Sequence, residues 1–342
     1  MNKRFYFRFF FILLVLFLFF ATFYSLPYYV SKPGMAKELE PIIEVENGYE
    51  EEGSFMLTTI RMGKANIYSY LLAKVSDYQE IYPLDAVRAE EETEEEYNVR
   101  QLHLMATSKL AAIEVAYKKA GIPIDYKFNG VYVLNVVEGM PADGKLVAGD
   151  HIFKIDGKEF KSSEEFINYV SDKSAGDEIT LTYKRDDKEG EAIIKVEPFP
   201  DDKTRVGVGI GLVDDKELIV DPSVEINSEE IGGPSAGFMF SLEIYNQLVE
   251  EDLTRGYQIA GTGTIEPAGI IGRIGGIEQK IVAADKAGAE IFFAPNEEGA
   301  ADSNYKAAIK TAKDIGTKMK IVPVDTFDEA IDYLENLEPK KK

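Results

Sequence analysis

"GGPSAGFMFSLEIYNQL", residues 232–248, places a single serine in a pliable turn directly before an apolar run. The two glycines allow a tight turn, and Pro234 suits the first position of a helix. The pattern predicts a helix that begins at Pro234 and carries Ser235 in its first turn. Free N–H groups and the helix dipole favour negative charge there, so Ser235 fits either a helix N-cap or a nucleophile.

A second stretch, "GTGTIEPAGIIGRIGGIEQKIVAADKAG" (261–288), predicts a helix that begins near Ile277, after two glycines. Lys280 shares its apolar stripe with Ile277, Ile281 and Ala284. Burial disfavours the charge of a lysine and lowers its pKa, so a buried Lys280 could accept a proton from a serine hydroxyl. The alternative is a lysine whose stem covers apolar surface while its amine reaches water.

Together the two stretches resemble Lon-type proteases, across roughly residues 205–335. That family has its serine in a (D/G)GPSAG loop and its lysine in a GG(I/L/V)xxK helix. The resemblance implies that Ser235 is the nucleophile and Lys280 the general base. It also implies supporting roles for Gly233, Pro234 and Thr262, the last as a hydrogen-bond partner of the lysine.

Two positions depart from the pattern of many Lon enzymes. Gly232 stands where they have an acidic residue, and Thr264 stands where they have Glu. Because both the serine and the lysine are present, these departures bear on the tuning of the active site and not on the expected activity.

Residues 125–197 resemble a PDZ domain of the type found with bacterial proteases. The signature is "GMPADGKLVAGDHIFKIDG", which follows a predicted strand and precedes a predicted capped helix. The resemblance implies that an extended peptide is bound by strand addition beside Gly130, Val131, Tyr132 and Val133. The alternative is a unit that acts only as a spacer or lid.

Composition excludes several classes of function. The chain has 342 residues, a formal net charge of −22 and no cysteine, which argues against nucleic acid as a partner and against thiol chemistry. It contains no GxxxxGK[ST] phosphate-binding loop, no HExxH motif and no comparable cluster of metal-ligand residues. We therefore expect no nucleotide, no metal and no other cofactor.

The N-terminus predicts a membrane anchor. Residues 9–26 form an uncharged, mostly apolar run that follows Lys3, Arg4 and Arg8. Eighteen helical residues just span a hydrocarbon core of about 30 Å, and the preceding cations favour a cytoplasmic position for residues 1–8. The catalytic part is then predicted outside the cell membrane. A cleaved signal peptide is the alternative, but the run lacks a small-x-small cleavage site.

The rest of the chain completes the predicted organisation. Residues 27–124 are assigned to a membrane-proximal segment and the N-terminal part of the proteolytic domain, with a strand at 54–60 and a helix at 103–121. Residues 336–342 are a basic tail. The expected fold class is an α/β (α+β) Lon-type proteolytic domain with a β-rich PDZ domain, behind one transmembrane helix. If the strand at 54–60 and the helix at 103–121 begin the proteolytic fold, the PDZ domain is inserted within it; otherwise the PDZ domain precedes it.

This combination is similar to the membrane-anchored, PDZ-containing Lon-like serine proteases of Gram-positive bacteria, which include the pheromone-processing protease of streptococci and its Bacillus relatives. The resemblance implies an ATP-independent endopeptidase that cuts secreted peptides or small membrane or unstructured proteins, with the PDZ domain selecting the substrate. Two alternatives are a catalytically silent PDZ adaptor that binds peptide ends and a Ser–Lys hydrolase of the signal-peptidase type. Substrate identity and oligomeric state are not predicted.

Overall fold

The computed structural model describes residues 3–89, 92–228 and 231–341. Small parts of the predicted segments lie outside the described residues, namely residues 1–2, 90–91, 229–230 and Lys342. The chain divides into two compact units. Unit 1 covers Met1–Glu44, Gly48–Glu91 and Ser235–Lys342, and unit 2 covers Val45–Asn47 and Glu92–Pro234.

The helices in chain order are α1 (Lys3–Phe23), α2 (Ile67–Ala73), α3 (Leu84–Val87), α4 (Glu94–Lys119), α5 (Ser163–Ser171), α6 (Gly237–Leu248), α7 (Ile277–Ala287), α8 (Asn304–Ile315) and α9 (Phe327–Glu335). A short 3₁₀ helix lies at Glu297–Gly299.

The strands in chain order are β1 (Ser25–Glu38), β2 (Ile43–Val45), β3 (Ser54–Asn66), β4 (Glu80–Pro83), β5 (Asp125–Val136), β6 (His151–Ile155), β7 (Glu178–Arg185), β8 (Lys188–Lys195), β9 (Glu197–Pro198), β10 (Val206–Gly207), β11 (Ile210–Ile219), β12 (Val224–Ile226), β13 (Gln258–Gly261), β14 (Thr264–Ile265), β15 (Ile271–Gly272), β16 (Ile291–Pro295) and β17 (Lys320–Val324).

Unit 1 is built around a mixed sheet with the strand order β17-β16-β13-β3-β1-β4. Strand β13 lies parallel to both β3 and β16, whereas β1 and β3 form a long antiparallel pair. The β-branched and aromatic residues of β3 suit a pleated, buried surface. Because β3 and β13 pair, segments from both sides of unit 2 in the sequence contribute to one sheet.

Helix α7 packs on this sheet through its predicted apolar stripe. Its buried residues Ile277, Ile281 and Ala284 contact buried residues of the strands, among them Met56, Ala260 and Phe292. A lysine within that stripe is carried into the interior with its apolar neighbours.

Helix α6 carries a buried carboxyl group in the same unit. Glu243 is fully buried, and its Oε1 accepts a hydrogen bond from Gln247 Nε2 at 2.5 Å. Burial raises the pKa of the Glu243 carboxyl, and burial together with the charge of Glu243 raises the pKa of Glu51. These carboxyl groups hold protons at a higher pH than exposed ones do.

Unit 2 contains an antiparallel sheet with the strand order β11-β5-β6-β7-β8. Its inward-facing residues, such as Val131, Val133 and Ile152, form an apolar core with Phe160 and Phe166. Helix α5 begins after Ser162, whose side chain accepts a hydrogen bond from Glu165 N and so caps the helix.

Strand β11 lies in unit 2. It pairs with β5 from Ile210↔Val136 to Ile219↔Asp125, so these residues belong to unit 2 and not to the proteolytic segment predicted to begin at 205. Unit 2 extends beyond the predicted PDZ limits of 125–197, which stay a prediction for the PDZ domain itself. Helix α4, predicted within the proteolytic segment 27–124, also lies in unit 2. Local periodicity predicts a strand or a helix but does not say which distant segment it joins.

Helix α1 covers most of the predicted anchor. It ends at Phe23, and β1 begins at Ser25, so residues 24–26 lie outside the helix. Within the part of the chain that the structure describes, no helix combines the length and apolar character needed to cross a bilayer. The structure therefore does not support the transmembrane helix predicted at 9–26.

Candidate active site

Ser235 lies two residues before α6 and not in its first turn, so the predicted helix start at Pro234 is corrected to Gly237. The cause is the backbone pairing of this turn. The Ser235 carbonyl oxygen accepts hydrogen bonds from Gly263 N at 3.1 Å and Thr262 Oγ1 at 2.9 Å, and so it is held by the turn after β13. This leaves the Ser235 side chain half-buried in unit 1.

The two residues before Ser235 have their contacts in unit 2. Gly233 has a φ of +84°, which favours glycine, and its N–H donates to Gln101 O at 3.0 Å. The Pro234 carbonyl oxygen accepts a hydrogen bond from Ser108 Oγ at 3.0 Å. Both predicted supporting residues therefore hold the backbone that leads to the serine.

Lys280 occupies the second turn of α7, with only 2% of its surface exposed. The helix begins after Gly276, whose φ of +71° favours glycine and where a Cβ would lie 2.9 Å from Ile60 Cγ2. The Lys280 Nζ atom lies 2.8 Å from Ser235 Oγ. Residues 45 positions apart in the sequence are thus in direct contact.

The amine of Lys280 has two more hydrogen-bond partners. It lies 2.9 Å from Thr262 Oγ1 and 3.0 Å from the carbonyl oxygen of Thr58. Thr262 Oγ1 also donates to the Ser235 carbonyl, so this one hydroxyl contacts both members of the pair. The Thr262 hydroxyl oxygen and the Thr58 carbonyl oxygen accept from this amine, and so they fix its position and its orientation beside Ser235 Oγ.

Thr58 is a site residue that the sequence analysis missed. Strand β3 pairs parallel with β13 at Met56↔Ala260 and Leu57↔Gly261, which brings the carbonyl of Thr58 beside Thr262. The Thr58 side chain donates to Gly261 O at 3.0 Å and so fastens the two strands together at this point. No motif marks the position, because a backbone carbonyl leaves no signature in the sequence.

Burial lowers the pKa of Lys280 to about 7. Moving an ammonium group out of water disfavours its charged form, and among the described residues no carboxylate pairs with this amine to offset that cost. The neutral amine can accept a hydrogen bond and a proton from the serine hydroxyl. The site can therefore activate Ser235 for attack on a carbonyl carbon.

The structure corrects the predicted position of the PDZ groove. Gly130–Val133 lie on β5, which pairs with β11 on one edge and with β6 on the other. Val131 and Val133 are also fully buried in the core of unit 2. A peptide strand has no open edge to join at these residues.

Among the described residues, β11 is an outer strand of this sheet and leaves its second edge open to strand addition. Helix α5 lies beside that strand, because Ser163 N donates to Asp214 Oδ1 at 2.9 Å. Ile167 follows one helical turn after Ser163 on the same face and is 52% exposed. The space between β11 and α5 thus joins an open strand edge to an exposed apolar side chain.

A serine hydroxyl bonded to a buried lysine amine is the arrangement of Ser–Lys hydrolases. Two known families match parts of the chain. Residues 100–196 match the PDZ domain family, and residues 228–336 match the Lon protease (S16) C-terminal proteolytic domain. These two matches support a Lon-like, PDZ-containing serine protease.

Individual relatives are similar over parts of the chain. The Lon protease of Mesomycoplasma hyopneumoniae is 30% identical over 102 residues, which are 30% of this chain and 11% of that protein. The Lon protease of Campylobacter jejuni is 29% identical over 131 residues, which are 34% of this chain and 16% of that protein. The chain therefore spans only a small fraction of the length of these curated relatives.

Solved structures are similar over about a quarter of the chain. The PDZ domain of an SdrC-like protein from Listeria monocytogenes is 45% identical, covers 25% of this chain and 90% of its own, and gives a TM-score of 0.24. A solution structure from Geobacillus thermodenitrificans is 43% identical, covers 24% of this chain and 95% of its own, and gives a TM-score of 0.23.

Proposed function

We propose that this chain is a serine endopeptidase with Ser235 as nucleophile and Lys280 as general base. The observation that carries the proposal is the 2.8 Å contact between Lys280 Nζ and Ser235 Oγ, made by an amine whose pKa burial lowers to about 7. Such an amine is neutral in a large fraction of molecules near pH 7, which is the state that a general base requires.

In the proposed reaction, the Ser235 oxygen attacks the peptide carbonyl carbon while Lys280 Nζ accepts the hydroxyl proton. Lys280 then gives this proton to the departing amine, and an acyl group remains on Ser235. A water molecule then attacks that ester while Lys280 Nζ accepts its proton, and Lys280 returns the proton to Ser235 Oγ as the ester bond breaks and the acid is released. Backbone N–H groups at the start of α6 are suited to stabilise the oxyanion of each tetrahedral intermediate.

The proposed substrates are peptides and unstructured protein segments. This chain carries no P-loop sequence for an ATPase that would unfold a compact substrate, and we expect cleavage without nucleotide. A PDZ domain suggests peptide binding, and the open edge of β11 is where we propose that an extended peptide adds to the sheet. The PDZ unit then selects substrates, while unit 1 performs the chemistry.

The catalytically silent PDZ adaptor is the less favoured alternative. An adaptor gains nothing from a buried amine against a serine, and burial of that amine costs stability because it disfavours the charge. Location outside a cytoplasmic membrane, and the closer likeness to pheromone-processing proteases, stay predictions that rest on the sequence.

Replacement of each proposed catalytic residue tests the function. Purified full-length chain is incubated with an unstructured peptide, and fragments are detected by mass spectrometry. Ser235→Ala and Lys280→Ala should each abolish cleavage, and the double variant should be no worse than either alone, because the two act as one unit. Lys286→Ala, at an exposed position near the end of α7, is the matched control and should cleave normally.

Thermal unfolding of each variant separates loss of chemistry from loss of fold. Cleavage by folded Lys280→Ala at near the wild-type rate would refute the role of the lysine. A wild-type chain that binds the peptide without cutting it would favour the adaptor.

A further inference from the structure

Two segments of this acidic chain contain no acidic residue. Residues 1–37 and 53–76 lack Asp and Glu altogether, although the whole chain has 60 of them. The same segments hold eight cations, namely Lys3, Arg4, Arg8, Lys32, Lys37, Arg61, Lys64 and Lys74. This separation of charge marks the two segments as different from the rest of the surface.

The fold of unit 1 brings the two segments together. Strand β1 pairs with β3 at Tyr29↔Lys64 and Lys32↔Arg61. The end of α1 is joined to the start of α2, since Asn66 Nδ2 donates to the carbonyl oxygen of Thr22 at 2.9 Å. Lys32, Arg61 and Lys64 therefore lie on paired strands in one part of unit 1, where β4 contributes the acid Glu80 opposite Ser31.

Helix α2 exposes an apolar face in this part of the unit. Its inner side chains, Tyr70 and Ala73, pack against residues of β1 and β3. Its outer side carries large, exposed apolar side chains, namely Tyr68, Leu71 and Leu72, and exposed Val75 follows the helix. The adjacent end of α1 exposes Phe19, Phe20 and Phe23 as well.

We propose that this apolar face of α2, together with Lys64 and Lys74 at its two ends, rests on the surface of an anionic phospholipid bilayer. Exposed apolar side chains beside lysine and arginine are the composition of an interfacial element, where the apolar groups enter the headgroup boundary and the cations meet phosphates. The contact lies in the plane of the interface and needs no helix to cross the bilayer.

Charge favours lipid over a second copy of this chain as the occupant. Two copies that met through this face would bring Lys64 and Lys74 of one against the same cations of the other. An anionic bilayer offers opposite charge over the whole face. The nearest acid that follows in the sequence is Asp77, beyond Val75.

The chain contains no tryptophan, so a single introduced tryptophan reports on its own surroundings. Leu71→Trp is made in the full-length chain, because Leu71 is 58% exposed and a larger ring can be placed there. Ile193→Trp, at a 59% exposed position on β8 of unit 2, is the matched control. Each variant is mixed with vesicles of phosphatidylcholine and phosphatidylglycerol whose acyl chains carry bromine near the headgroup.

We expect the Leu71→Trp emission to shift to shorter wavelength and to lose at least half its intensity to bromine quenching, while Ile193→Trp changes little. Binding of the chain to vesicles without quenching of Trp at 71 would refute the proposal, because α1 alone would then carry the contact. A blue shift without lipid that grows with protein concentration would instead identify a second copy as the occupant and would also refute it.

The role of the cations is tested in the same chain. Lys64→Gln and Lys74→Gln, added to Leu71→Trp, should raise the lipid concentration for half-maximal quenching at least threefold. No change in that concentration would refute the electrostatic part. None of these measurements depends on peptide cleavage, so their outcome is independent of the proposed protease activity.

Discussion

The rate at which Ser235 is acylated should follow the titration of Lys280. Its pKa of about 7 lies some 3.5 units below the ordinary value of 10.5. At pH 7 about half of the buried amines are neutral, compared with roughly one in 3,000 for an exposed lysine. Burial therefore raises the population of the reactive form by roughly a thousandfold, at a cost of about 5 kcal/mol to the charged form.

The expected pH profile follows directly. The neutral fraction is about one eleventh at pH 6 and about ten elevenths at pH 8, so acylation should rise about tenfold between them. Lys280→Arg places a group that stays charged at these pH values, and the rate should fall by at least about a hundredfold at pH 8. Lys286→Arg, exposed on the same helix, should keep the wild-type profile.

The assay is the pre-steady-state acylation of the full-length chain by a peptidyl ester that has no ionisable group between pH 5 and 9. Circular dichroism at each pH confirms that the fold is retained. A rate that is constant from pH 6 to pH 8, or an inflection near the ordinary lysine value, would refute the assignment of Lys280 as a base with a depressed pKa. Arginine at 280 with near-normal activity would refute it as well.

Four other substitutions have expected outcomes. Thr262→Val removes the hydroxyl that contacts both members of the pair and should slow acylation about tenfold to a hundredfold, whereas Thr262→Ser should stay within a few fold in the same assay. Lys280→Met should remove a pH dependence of the free energy of unfolding. The unfolded chain keeps the lysine proton up to about pH 10.5, whereas the folded chain releases it near pH 7, so the wild type becomes more stable as pH rises between these values. Urea unfolding should show the wild type gaining about 2 kcal/mol relative to the variant from pH 7 to pH 9. Glu243→Gln should show a pH dependence of the opposite sign. Because burial raises the pKa of the Glu243 carboxyl, the wild-type free energy of unfolding should fall as pH rises above the ordinary glutamate pKa, whereas the variant has no such loss. If the variant does not gain stability relative to the wild type between pH 5 and pH 8, this reasoning is wrong. Ile167→Glu should weaken peptide binding, measured by fluorescence anisotropy, and should leave acylation by a small ester unchanged, with Ile193→Glu as the control. Equal loss of peptide binding and acylation in a folded protein would show that the PDZ unit takes part in the chemistry.

Much of the site could be predicted from short stretches of the sequence. The glycines and proline before Ser235 indicate a turn, and the stripe shared by Lys280 and Ile281 indicates a helix with a lysine on its apolar side. These signals are local, because turn chemistry and periodicity depend on residues a few positions apart. They suffice to identify the two side chains, but not the start of α6, which the pairing of Ser235 with Gly263 sets.

The organisation of the PDZ unit was predicted less completely. Its signature indicated the turn and the strands from Gly130 onward, but the groove was assigned to a strand whose edges are both paired. The missing fact was the position of β11, which follows β5 by more than 70 residues and takes the outer place in the sheet. Strand alternation gives the same pattern whichever partner is chosen, so the sequence did not distinguish an inner strand from an outer one.

The sequence by itself determined the chemistry that is available: a serine in a glycine-rich turn, a lysine on an apolar helical stripe, and a threonine between them in the chain. Only the tertiary structure decided how far that lysine is desolvated and what holds it. The pKa of Lys280 depends on the packing of α7 against the sheet, and its third partner, the carbonyl of Thr58, comes from a strand more than 200 residues away. Desolvation and long-range strand pairing are properties of the assembled interior, and no short stretch of sequence specifies them.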